Sequence, residues 1–227
     1  MMVPVLIVLL TAASSTSQSP LQTARDRQDR AELQKLAGAS ASSAQKQPDD
    51  AKAQYQYALA QSYLAEVATE QHDKRAAYSA AEAGMGAAER AVALKGDSAE
   101  YNRILGTLCG QAISGNGLAA LKYGKCAMDS VNKAIELDPK SSEAYVSHGV
   151  GSFYLPPAFG GGVDQAIKDF QKAIELDRKS DEAYLWLGVA LRKANRNADA
   201  RKAFQKSLEL NPNRVWAKQQ LDKTPAQ

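Results

Sequence analysis

The chain has 227 residues, 44% of them hydrophobic, 23% charged and 7% aromatic, with a formal net charge of +3. This is material for one globular unit. Its small, unclustered basic excess excludes a nucleic-acid-binding footprint, and no apolar run approaches the roughly 20 residues of a spanning helix, which excludes a polytopic membrane protein. Two cysteines and two histidines leave almost no material for a structural zinc site. Alanine is abundant while β-branched and aromatic residues are sparse, so composition alone favours an all-α fold.

At the N-terminus, Val3 to Leu10 form a short apolar run followed by Thr11, Ala12, Ala13, Ser14 and Ser15. A short apolar core ending in small residues is the anatomy of a signal peptide. Residues 1–17 are expected to be one, atypical in that no Lys or Arg precedes the run. Export to the periplasm is therefore expected, with no stable membrane span after removal. No Cys follows the run, so a bacterial lipoprotein anchor has no attachment residue. In residues 18–49, Leu21 to Leu36 reads as a charged amphipathic helix with Leu33 and Leu36 on one face. Residues 38–47, rich in Ala, Ser and Gln, read as a linker. This N-terminal helix is expected to act as a leading cap, with Asp49 and Asp50 starting the next helix.

The rest of the chain repeats itself. In residues 181–214, a span of 34, Tyr184, Leu187, Gly188 and Leu191 stand at positions 4, 7, 8 and 11. Ala200, Phe204, Ser207 and Pro212 stand at positions 20, 24, 27 and 32. Small residues at 8, 20 and 27 let two antiparallel helices approach closely, bulky ones fill the space between them, and the proline stops the second helix. The segment closely resembles the tetratricopeptide repeat (TPR). Residues 142–180 repeat it with Tyr145, His148, Gly149, Ala166, Phe170 and Ala173. Their insert, Leu155 to Gly162, carries two prolines and three glycines and must lie between the helices. Residues 99–141 form a third copy, with Leu105, Gly106, Ala127, Val131, Ala134 and Pro139 and a turn around Ser114 to Gly117. Residues 53–98 are a degenerate fourth, with Leu59, Ala60 and Tyr63 at positions 7, 8 and 11, then Gly84, Ala88 and Ala91, and a turn near Gln71 to Asp73. The resemblance implies a right-handed superhelical solenoid of antiparallel helix pairs over 50–214, with a capping helix and tail in 215–227.

Chemistry finds little purchase. Gly115-Asn-Gly117-Leu-Ala-Ala120 imitates a dinucleotide fingerprint but follows a helix instead of a strand, and Gly124-Lys-Cys126 lacks the glycine spacing and hydroxyl of a phosphate loop. His148 falls at a core position and His72 in a polar turn. No catalytic set, metal site or cofactor is expected. Cys109 and Cys126 flank the Ser114–Gly117 turn at similar distances, which allows either a disulfide in an exported chain or two small core residues.

In the TPR family the concave face carries the ligand, and positions 5 and 9 of the first helix usually line it. The resemblance implies Tyr57 and Gln61, Arg103 and Thr107, Val146 and Val150, then Leu185 and Val189, with some of the apolar ones buried by neighbouring repeats. Phe153, Arg192 and Lys193 at positions 12 and 13, and Phe159 in the insert, extend the surface. The expected function is a non-enzymatic adaptor or scaffold binding a protein or peptide segment in this groove. The alternative is a periplasmic companion of a solute transporter, binding a small hydrophobic ligand.

Overall fold

The computed structural model describes residues 18–115 and 119–226, so the expected signal peptide at 1–17 and the turn at Asn116 and Gly117 lie outside the described residues. The chain forms α1 (Pro20–Asp26), α2 (Arg30–Lys46), α3 (Ala51–Glu70), α4 (Lys74–Leu94), α5 (Ala99–Gly115) and α6 (Ala119–Leu137). It continues with α7 (Ser142–Tyr154), α8 (Val163–Leu176), α9 (Asp181–Lys193), α10 (Asn197–Leu210) and α11 (Val215–Asp222). A 3-10 turn, Pro157–Phe159, sits in the insert between α7 and α8, where the proline and glycine content places it. Among the described residues there is no strand, and no helix is long and apolar enough to cross a membrane. Consecutive helices pack as pairs, and the odd-numbered helices α1 to α9 also meet their successors along an inner face. The result is the right-handed superhelical solenoid implied by the repeats.

The local signals that make each pair recur along the chain. At the turns inside the first, second and last pairs, one residue adopts a left-handed conformation: Gln28 (φ 55°), His72 (φ 62°) and Asn195 (φ 59°). In each, the next residue's N–H reaches back five positions: Asp29 to Ala24, Asp73 to Ala68 and Arg196 to Leu191, at 2.8, 2.8 and 2.9 Å. This closes the carbonyls at the end of one helix before the next begins. His72 is thus a turn residue. Between pairs, Asp50, Ser141 and Ser180 accept hydrogen bonds from the first backbone N–H groups of α3, α7 and α9, the ordinary cap chemistry of a helix start.

The equivalence of the Gln28 turn with the other two corrects the reading of the N-terminus. There is no long helix followed by a linker. The first helix breaks at Arg27–Asp29, and residues 30–46, including the expected linker, form α2. Alanine is the best helix former, and the Ser40 and Ser42 hydroxyls donate to the carbonyls of Leu36 and Gly38 instead of competing for other backbone partners. Leu33, Ala37 and Ala44 are buried, Leu33 and Ala37 in a cluster with Ala60, Leu64 and Val67 of α3. The solenoid therefore has five pairs, the first one short, with α11 as the closing cap.

Close packing within pairs depends on the glycine at position 8. A Cβ on Gly106, Gly149 or Gly188 would lie 2.6, 2.5 or 2.6 Å from the side chain of Val131, Phe170 or Phe204, the residue at position 24 of the same pair. These distances are shorter than any van der Waals contact, so in each of the three pairs the glycine allows the position-24 side chain to close against the first helix. In the pair α3–α4 it shifts. Gln61 meets Gly84 of α4, 2.8 Å from where a Cβ would stand, and Ala60 belongs to the cluster with α2. The inner-face residues of α3 are two positions earlier than the alignment places them.

Candidate functional site

The inner face consists of Tyr55, Tyr63, Glu66 and Glu70 on α3, Glu100, Arg103 and Thr107 on α5, Ser147, Val150 and Phe153 on α7, and Glu182 and Trp186 on α9. The Tyr55 hydroxyl donates to Glu100 at 2.8 Å, and Arg103 donates two bonds to the same carboxylate at 2.7 Å. Arg103 also reaches Ser147 across the helix boundary, and the hydroxyls of Thr107 and Ser147 lie 3.3 Å apart. Burial opposes ionisation of Glu100, but Arg103 and the Tyr55 hydroxyl hold it below the usual carboxylate range.

This placement corrects several expected groove residues. Tyr57 and Gln61 face away from the concave side. Tyr57 lines a shallow cleft of about 220 Å³ with Ala44, Gln54 and Gly86, and Gln61 donates to the Tyr57 hydroxyl. Leu185, Val189 and Val146 are buried in a single core cluster with Phe170 and Phe204, because apolar groove positions on successive first helices pack against each other. Arg192 donates to the carbonyl and side chain of Gln220 and stacks 5.9 Å over Phe204, so it fastens the cap instead of facing a ligand. Arg103, Val150 and Phe153 keep partly exposed inner positions, and Lys193 is exposed. Phe159 lies in the 3-10 turn. Cys109 and Cys126 are joined in a disulfide, with Cα atoms 6.0 Å apart, next to buried Met85. His148 Nδ1 lies 2.9 Å from Asp169, whose carboxylate also accepts from Ser152 and Gln165. That buried carboxylate ties α7 to α8 and leaves Ser152 bonded to the Asp, not to the His that a nucleophile would need.

The dominant feature of the inner face has no counterpart in the repeat pattern. The spiral curls until its last turn meets its first helices. Arg214, fully buried, donates to Glu70 at 2.5 and 3.2 Å and to Glu66 at 2.6 Å. Asn211 donates to Asp26 at 2.8 Å and Arg25 to Glu182 at 3.2 Å. Gln28 and Gln219 exchange amide contacts. These partners are 144 to 191 positions apart in sequence. Arg25 stacks over Tyr63 and Arg214 over Trp216, at 5.2 and 5.6 Å from the ring centroids. Burial raises Glu66 and Glu70 above the normal carboxylate range despite Arg25 and Arg214 respectively. For Glu182 the two arginines outweigh burial and hold it below that range. A signal for this seam exists in the sequence. Arg214 occupies the helix-start position that holds Asp50, Ser98, Ser141 and Ser180 elsewhere, and it caps nothing. A repeat position that abandons its local role is being used for something else.

Two family models divide the described chain between them. The model for regulator of microtubule dynamics protein 1-3 matches residues 18–155. The chain belongs to this family. The tetratricopeptide-repeat model matches residues 159–215 of this regulator-family chain, and it is a TPR protein throughout its fold. No curated protein matches it. Among solved structures it is similar to TTC0263, a thermophilic TPR protein of Thermus thermophilus. The two share 16% identity over 89% of this chain and 97% of that one, with a TM-score of 0.62. It is also similar to the HusA haemophore of Porphyromonas gingivalis, at 18% identity over 78% of this chain and 96% of that one, with a TM-score of 0.57. At these identities the likeness is one of fold. The TPR-type fold suggests a protein–protein interaction scaffold.

Proposed function

We propose that this regulator-family member is a non-enzymatic adaptor that holds a protein or peptide segment against α5 and α7. The supporting observation is a continuous strip of partly exposed inner-face residues, Arg103, Thr107, Ser147, Val150 and Phe153, leading to Tyr154, which is 61% exposed. Polar groups at one end offer hydrogen bonds, and the paired rings of Phe153 and Tyr154, 5.1 Å apart, offer an apolar anchor at the other. A small hydrophobic ligand, the alternative, suits this face less well, because it would cover the partly exposed Glu100–Arg103 pair and the Thr107 and Ser147 hydroxyls without offering them hydrogen bonds.

We further propose export. The apolar run Val3 to Leu10 has the anatomy of a signal peptide, and the Cys109–Cys126 disulfide suits an oxidising compartment. The family's name ties its members to microtubule dynamics, and an exported chain would meet a different partner, so location decides between them. The test is capture of partners from fractionated native cells by the wild-type chain and by Tyr154→Glu, with the N-terminus of the native protein sequenced. The expected result is a partner lost with Tyr154→Glu at unchanged helical content, from an exported chain beginning near residue 18. Identical capture by both chains would remove α7 from the site, and an intact Met1 or Met2 in a cytosolic fraction would refute export.

A further inference from the structure

The seam between the two ends of the spiral is held by long polar side chains instead of close helix packing. Most neighbouring helices share an apolar cluster, and α5, α6 and α7 also lie in close contact, whereas across the seam α1 and α3 meet α9 and α11 through side chains alone. Its charges do not balance. Four carboxylates, Asp26, Glu66, Glu70 and Glu182, surround two guanidinium groups, Arg25 and Arg214, with ion-pair distances from 2.5 to 3.9 Å. Arg214 and Asp26 have no solvent exposure at all.

The groups around Glu66 come from every element of the seam. Arg25 faces it from α1, Tyr63 and Glu70 from α3, Glu182 from α9, and Arg214 from the turn before α11, while Asp26 contacts the two arginines and Asp181 accepts from Asn211. The Glu100–Arg103 pair of α5 lies nearby and is neutral as a whole. An unbalanced buried carboxylate either keeps a proton or pushes its neighbours apart.

We propose that the seam is a proton-operated clasp. It holds the ends of the spiral together while Glu66 keeps its proton, and it releases α9–α11 from α1–α3 when Glu66 ionises, opening the inner face. Glu66 sits between both arginines and Glu182, and burial pushes its carboxyl up to about 8. A carboxyl that titrates higher in the folded chain than in the unfolded one supports the closed state fully at low pH. That support is withdrawn as pH rises through the folded value. The clasp is therefore closed at neutral pH and opens on the alkaline side. Each helix pair keeps its own apolar core through the transition. The proposal does not depend on the partner or on the α5–α7 binding strip.

The protein carries its own reporters. Its two tryptophans both stand at the seam: Trp186 donates to Glu182 at 3.0 Å, and Trp216 lies beneath Arg214. The experiment is a titration of the full chain from neutral to alkaline pH, reading tryptophan emission and far-ultraviolet circular dichroism together, for wild type and Glu66→Gln. The expected result is a red shift of wild-type emission with a midpoint near 8, at constant helical signal, and no shift in Glu66→Gln. A flat wild-type emission profile would overturn the proposal. So would a shift that survives in Glu66→Gln, or one that coincides with loss of helix. The wild-type titration decides the matter even if the variant does not fold.

Discussion

Arg214→Ala lowers stability by about 3 kcal/mol, toward the low end of what breaking a buried ion pair costs. The guanidinium donates three hydrogen bonds to Glu66 and Glu70 from a position with no access to water. Removing it leaves the Glu70 carboxylate, only 3% exposed, without its cationic partner and unable to be resolvated in place. The loss stays near the low end because the seam can part and admit water. Chemical denaturation measures the effect. Adding Glu66→Gln and Glu70→Gln to Arg214→Ala restores most of the loss, since the damage comes from unpaired charge rather than from the missing side chain. If Arg214→Ala alone leaves the unfolding midpoint unchanged, Arg214 is not buried among these acids.

Gly188→Leu destabilises the last repeat by at least the upper part of the roughly 1–3 kcal/mol typical of overpacking. Even a Cβ at Gly188 would stand 2.6, 2.7 and 2.9 Å from three ring carbons of Phe204. Phe204 is fully buried within the cluster shared by α9, α10 and α11, so the ring has nowhere to go. The helices must separate, and the cap bearing Trp216 loosens with them. Thermal unfolding reads this directly: a midpoint within a degree of wild type would refute the close approach of α9 and α10.

These two sites mark the boundary between what the sequence reveals and what it hides. Gly188 and Phe204 are legible because pair packing is local, and a small residue facing a large one at fixed spacing can have few other causes. The same logic sets Gly149 against Phe170 and puts the Pro156–Gly162 insert between two helices. It fails by two positions on α3, where Ala60 and Leu59 imitate the pattern and the true small residue, Ala58, is indistinguishable by type. It also misses the helical nature of residues 38–46, since a run of Ala and Ser reads as a linker until Leu33 and Ala37 are seen buried against α3. The repeat places Leu185 and Val189 in the groove, but which groove positions stay open depends on how tightly successive first helices pack. That packing, like the meeting of Arg214 with Glu70, is set by curvature accumulated over five pairs. No local window of sequence contains it.

The spiral closes on itself through this polar seam. The most direct measurement is an electron-spin distance between labels at Arg27→Cys and Lys218→Cys, exposed positions beside the Gln28–Gln219 contact, in a chain whose own cysteines are paired. A closed spiral gives one short, narrow distance distribution at neutral pH. A long or broad distribution, with helical content intact, would mean that the solenoid is open and that its ends do not meet.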